Sequence, residues 1–192
     1  MEKDRLQAFS DGVIAILITI MVLELKIPHR PTATALGKLT PIFLCYVLSF
    51  VNLGIYWNNH HHLLAATRRI TGGVLWANMH LLFWLSLFPF FTGWMGENHF
   101  ASLPTAAYGC VLLAAASAYF ILTKVIIRAQ GPGSDLEAAI GGDLKGKVSP
   151  IIYALGIPLA FLNQWIAVGM YVFVSLMWLI PDRRIEQRIY GS

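Results

Sequence analysis

Ser10-Asp11, the run Tyr56-Trp57-Asn58-Asn59-His60-His61-His62, and the pair Asn78 and His80 are the residues of this sequence best suited to chemistry. All lie towards the ends of long apolar runs, where an unpartnered polar group is costly. A carboxylate beside imidazoles can hold a metal ion, exchange protons, or lock helices by hydrogen bonding. Consecutive histidines on a helix point about 100° apart, so at most two of His60, His61 and His62 share a site. A membrane enzyme built on a metal needs several separated histidine motifs, and this chain has one cluster. No metal site, no cofactor and no catalytic residue are therefore expected, and the chain is not read as an enzyme. Proton sensing stays open, because imidazole titrates near neutral pH. Helix-locking hydrogen bonds are the reading these residues favour. Cys45 and Cys110 stand in separate apolar runs and read as small buried side chains, not as a disulfide or metal pair.

The elements that must position these residues are membrane-spanning helices. Hydrophobic residues make up 57% of the 192-residue chain and charged residues 12%; a soluble domain carries about 25% charged residues. A chain this short cannot bury so much apolar surface in water. Lipid must be the solvent for much of it, and the mean hydropathy of +0.63 agrees. The runs are too long and too continuously apolar for barrel strands. They cover 9–27 (ended by Pro28 and Pro31), 39–62, 74–94 and 105–127. The stretch 149–180 is too long for one helix and divides best at Asn163-Gln164, into 149–162 and 165–180. The intervening segment 128–148, rich in glycine and charge, reads as a polar loop with a short helix capped by Ser134. No small-residue cleavage site follows the first run, which is read as a retained span. The expected fold is one all-α membrane domain with six transmembrane helices.

The net charge of +4 and the pI near 9.2 do not point to nucleic acid, because the basic residues form no stripe interleaved with aromatics. They report topology instead. With six spans, one side holds Lys3, Arg5, Arg68, Arg69, Lys124, Arg128, Lys145, Lys147, Arg183, Arg184 and Arg188, eleven of the fourteen basic residues. The other side holds Lys26, Arg30 and Lys38. This bias puts both termini in the cytoplasm. It also puts Asp11, the histidine run, Asn78 and His80 at one depth, as a single network. Ser10, Arg5 and the polar ends of the second and third runs are the expected partners of Asp11. At the outer ends, Glu24 is either a cation-attracting group at a pore mouth or a solvated helix-end carboxylate.

At the first run, Arg5-x-x-x-Phe9-Ser10-Asp11-Gly12, followed by an apolar helix ending in Leu23-Glu24-Leu25, resembles the signature of the transmembrane-protein-175 potassium channels. Tyr56-Trp57-x-x-His60-His61 in the second run supports the resemblance, as do Asn78 and Ser86-Leu87-x-Pro89-Phe90 in the third. Six spans look like the prokaryotic, single-repeat form, in the cell membrane. The resemblance implies a homotetrameric channel whose pore is lined by the first helix of each subunit and narrowed by bulky apolar side chains. It places that constriction on Ile16, Ile20 and Leu23, with Thr19 the neighbouring polar position. Arg5, Phe9, Ser10, Asp11, Trp57, His60, His61 and Asn78 become the structural motif and polar network. Residues 16, 19, 20 and 23 share one helical face, a periodicity equally compatible with a lipid-facing or packing stripe. The expected function is passive potassium conduction without a cofactor. The alternatives are a proton-coupled transporter using Asp11 and the histidines, against which no second half repeats the first, and a metal-dependent membrane enzyme.

Overall fold

In lipid a helix satisfies every backbone polar group within itself, and each apolar run folds as one. The computed structural model describes residues 3–131 and 144–179. The Ser134 cap, residues 132–143 of the loop, Ile180 and the basic residues Arg183, Arg184 and Arg188 lie outside the described residues. In chain order the helices are α1 (Lys3–Ile20), continued by a 3₁₀ turn (Met21–Glu24), α2 (Ala33–Gly37), α3 (Thr40–Ala65), α4 (Gly72–Ser86), α5 (Phe88–Glu97), α6 (Ser102–Gln130), α7 (Leu144–Leu162) and α8 (Gln164–Leu179). Among the described residues, five stretches are long and apolar enough to cross a membrane: Lys3–Glu24, Thr40–Ala65, Gly72–Glu97, Ser102–Gln130 and Leu144–Leu162. The described part of the apolar α8 has 16 residues and rises about 24 Å. The chain is an all-α, multi-pass membrane protein.

Two elements differ from the reading of the sequence, each for an identifiable reason. The first helix starts at Lys3 rather than near Phe9 and tightens to 3₁₀ after Ile20. Its first turns are polar, but α3 holds them in place of lipid. The third run is not one helix. It breaks at Leu87, the shared end residue of α4 and α5, because Pro89 offers no amide hydrogen to the preceding turn. The boundary between the last two helices is a single residue, Asn163, whose Oδ1 accepts from Trp165 N at 2.9 Å and caps α8.

The long helix α6 is the centre of the bundle and packs against α4, α5, α7 and α8, while α1 packs against α3 and α4. Close approach depends on small residues. A Cβ on Gly109 of α6 would fall 2.0 Å from the Tyr171 hydroxyl of α8, and one on Gly156 of α7 would fall 2.7 Å from the same ring. Only glycine fits at either position, so Tyr171 is clasped between α6 and α7.

Candidate pore face and polar lock

The face of α1 turned to its own subunit buries Leu6, Ser10, Ile14 and Leu17, with Met21 continuing the line in the 3₁₀ turn. Leu6, Ser10, Ile14, Leu17 and Met21 follow three- and four-residue steps, so they form one stripe. Its polar member is the end of a buried relay. His60 on α3 is fully buried, and its Nε2 lies 2.7 Å from Asn78 Oδ1 on α4. Asn78 Nδ2 donates to Ser10 Oγ at 3.0 Å, and Ser10 Oγ donates to Leu6 O at 2.9 Å. The amide group of Asn78 gives its oxygen to one side and its nitrogen to the other. His60 Nε2 therefore carries the proton, and Nδ1 has no hydrogen-bond partner. The relay ties α3, α4 and α1 at one point.

Around this lock runs a second set of contacts. Lys3 Nζ donates to Ala65 O at 2.5 Å, Gln7 Nε2 lies 2.9 Å from His61 Nδ1, and Trp57 Nε1 donates to Asp11 Oδ1 at 3.0 Å. On α1 the members are Lys3, Gln7 and Asp11; on α3 they are Ala65, His61 and Trp57. Each step is four residues, in opposite directions, as expected of one face on each of two antiparallel helices. Lys3 and Gln7 were missed in the sequence, where they stand before the apolar run; their four-residue spacing ahead of Asp11 was the available signal.

Three expectations need correction. Cys110 is exposed on α6, while Cys45 is buried as expected. Of the partners expected for Asp11, Trp57 at the polar end of α3 is the one it meets and Ser10 and Arg5 are not, because Ser10 and Asp11 are about 100° apart on α1 and only Ser10 faces the lock. His80 is outside the network: it is exposed and accepts from Trp84 Nε1 at 2.9 Å on its own helix. Two residues from Asn78, it points about 200° away. A further buried cluster was not singled out from sequence. Ser49 lies 2.5 Å from Thr92 Oγ1 and 2.9 Å from the Tyr108 hydroxyl, and Ser175 donates to Asn52 Oδ1 at 3.1 Å. Ser49 and Asn52 fall on the same buried stripe of α3 as His60, and polar residues on such a stripe were the signal. Among the described residues no three His, Cys, Asp or Glu side chains are placed to share a metal ion.

The Asp11–Trp57 contact is exposed to the surroundings, so its loss should be modest. Asp11→Ala is expected to lower the melting temperature by the equivalent of about 0.5–1.5 kcal/mol and to leave ion preference unchanged. Thermal melting followed by size exclusion, together with currents from the assembled fraction, checks both; altered ion preference in a well-assembled variant would make Asp11 a pore ligand.

Opposite the buried stripe, α1 is bare. Ile16 is 57% exposed, Ile20 41% and Leu23 74%, and Thr19 between them is exposed. Leu23 belongs to the 3₁₀ turn, in which residues three apart eclipse, so it stacks directly beyond Ile20. Thr19 Oγ1 donates back to Ile16 O at 2.9 Å and Ala15 O at 3.2 Å. At the far end Glu24 is half-buried and lies over Gly93 of α5, where a Cβ would fall 2.6 Å from its Oε2. Glu24 thus packs against its own subunit. Lys26 pairs with Glu97. That hydrogen bond and charge raise the Lys26 pKa above its usual 10.5. The pairing is therefore complete below that value and fades as pH rises through the raised one.

A buried lock at one end of the bundle and a bare apolar stripe on the helix it anchors define a multi-pass helical membrane protein built to present α1 outward. The comparisons give that class its family. The family model described as endosomal/lysosomal potassium channel TMEM175 matches residues 5–89. A potassium channel of Chryseobacterium sp. (strain P1-3) is 53% identical over 189 residues, covering 98% of each chain. The crystal structure of a lysosomal potassium-selective channel TMEM175 homolog from Chamaesiphon minutus superposes with a TM-score of 0.83 at 26% identity, over 93% of this chain and 97% of that one. The endosomal/lysosomal proton channel TMEM175 of Bos taurus is 37% identical over 83 residues, covering 37% of this chain and 17% of that one. The chain belongs to the TMEM175 family.

Proposed function

We propose that this chain is one subunit of a passive, potassium-permeable cation channel, an oligomer of four copies with α1 of each lining the pore. The observation that carries the reading is the bare stripe of Ile16, Ile20 and Leu23 on a helix whose other face is locked to its own subunit. Four such stripes around an axis make rings that exclude water, and an ion there loses hydration without gaining a ligand. Thr19 has committed its hydroxyl proton to the backbone, which leaves its lone pairs for a cation. No catalytic residue or cofactor enters the mechanism. Potassium is the proposed ion because the Chryseobacterium and Chamaesiphon relatives carry that ion in their names.

Single-channel recording of purified protein in a bilayer with unequal potassium and sodium tests this. The expected result is a current without any coupled gradient, reversing towards the potassium equilibrium potential. Flux that requires a proton gradient would instead indicate a coupled transporter. The six-span topology with both termini inside predicts opposite labelling of Asn98→Cys and Arg69→Cys, made in a Cys110→Ser background because Cys110 is exposed. Impermeant reagent should reach Asn98→Cys from outside and Arg69→Cys only from within. Labelling of both from the same side overturns the topology.

A further inference from the structure

A cavity of about 250 Å³ opens between α3, α6, α7 and α8, away from the proposed pore helix. Its walls are mostly apolar, with Tyr56, Ala116 and Ile127 among them. Two features set it apart from a packing defect. Tyr153, 4% exposed, and Tyr56, half-buried, both line it, and no hydrogen bond among the described residues engages either hydroxyl. Neither hydroxyl is sealed off from the cavity, so both are open to a polar occupant. At the same end as Arg69 and Lys3, Lys124 of α6 and Lys147 of α7 both line the cavity and are exposed. Neither makes an ion pair among the described residues; the ammonium of Lys124 rests over the Phe120 ring, 5.4 Å from its centre.

We infer that this cavity binds an anionic amphiphile, with one acyl chain along the apolar wall and its charged head between Lys124 and Lys147. The volume is below the roughly 300–1,000 Å³ of drug-sized sites, so it suits a single chain segment and not a bulky ring system. A phosphate or a carboxylate head satisfies two ammonium groups equally well. The two natural sources are therefore an anionic phospholipid of the surrounding leaflet and a free fatty acid. Two exposed lysines beside lipid each attract an anionic headgroup; here the cavity adds a place for the chain, and the tyrosine hydroxyls a place for ester or carboxylate oxygens.

Native mass spectrometry of the purified, detergent-washed full-length protein tests the site. Phosphatidylglycerol, oleate and phosphatidylcholine are added separately at equal concentration, and bound molecules per subunit are counted. Phosphatidylglycerol, oleate or both should be retained over phosphatidylcholine by roughly tenfold, and the retained one identifies the source. Lys124→Ala/Lys147→Ala should abolish that preference, and Ala116→Phe should fill the cavity and exclude the chain. Arg69→Ala, a cation at the same end but outside the cavity lining, should change nothing. Tyr153→Phe keeps the packing and should weaken retention. The two lysines are exposed, so their double variant reports on binding even if Ala116→Phe fails to assemble. Equal retention of phosphatidylcholine, no retention of any of the three, or undiminished preference in the double-lysine variant overturns the inference. None of these readouts depends on whether the protein conducts.

Discussion

Ile20→Asn is expected to raise the open current roughly tenfold, the effect of lowering the barrier at one ring by about 1.4 kcal/mol. Ile20 is 41% exposed on a helix whose opposite face is buried. In a ring of such side chains water has no partner, and an ion must shed hydration to pass. An amide at this position offers an oxygen to the ion and a foothold to water. Ile16→Ala acts differently, since it removes bulk without adding a ligand. It should widen the passage and reduce discrimination between potassium and sodium, read as a shift of reversal potential towards zero. The two variants separate a gate made of water exclusion from selection made by width. If both conduct and select as the parent does, the stripe faces lipid and α1 does not line the pore.

The second large effect concerns assembly. Asn78→Leu keeps the approximate shape of the side chain but removes both of its hydrogen bonds, to His60 and to Ser10. Interhelical hydrogen bonds in membranes contribute about 0.6 to 2 kcal/mol each. The stranded His60 Nε2–H adds a cost, because His60 is fully buried and its other ring nitrogen already lacks a partner. The sum is at least about 2 kcal/mol, the total of the lower ends of these ranges. The melting temperature should fall by roughly 10 °C, with loss of the assembled species on size exclusion. Ser10→Ala should cost less, because Asn78 keeps its bond to His60. Ion preference in whatever fraction assembles should match the parent, since Asn78 lies behind α1. A melting temperature within about 1 °C of the parent would show that the relay carries little of the packing energy.

Much of this arrangement was legible in the sequence because depth in a membrane is a strong constraint. Alternating sides bring Ser10, His60 and Asn78 to one level, and hydrogen bonds join them there. Depth does not give direction around a helix axis, which is why His80 was grouped with Asn78 although the two point to nearly opposite sides. The family resemblance supplied Ile16, Ile20 and Leu23; spacing alone could not distinguish that stripe from one that packs or faces lipid. What the structure adds is that the stripe is left bare by its own subunit. The break at Leu87 was hidden because hydropathy is blind to a missing amide hydrogen, although Pro89 was in view. The cluster of Ser49, Thr92 and Tyr108 was hidden for another reason: the stripe on α3 marks Ser49, but its partners on α5 and α6 carry no signature until the helices are packed.

The four-residue repeat that joins α1 to α3 has a consequence for sliding. If α1 moved one turn along α3, about 5.4 Å, two of the three outer contacts could be remade. In one direction Gln7 would meet Ala65 O and Asp11 would meet His61. In the other, Lys3 would meet His61 and Gln7 would meet Trp57. Such an edge holds the helices together without fixing their offset. The offset is fixed by Asn78, because the residues one turn from Ser10 on the same face are Leu6 and Ile14, both buried and neither able to accept a hydrogen bond through its side chain. Adhesion and alignment are thus assigned to different residues. The interface acts as a vernier with one permitted mark, and the height at which Ile16, Ile20 and Leu23 stand is set by a single asparagine.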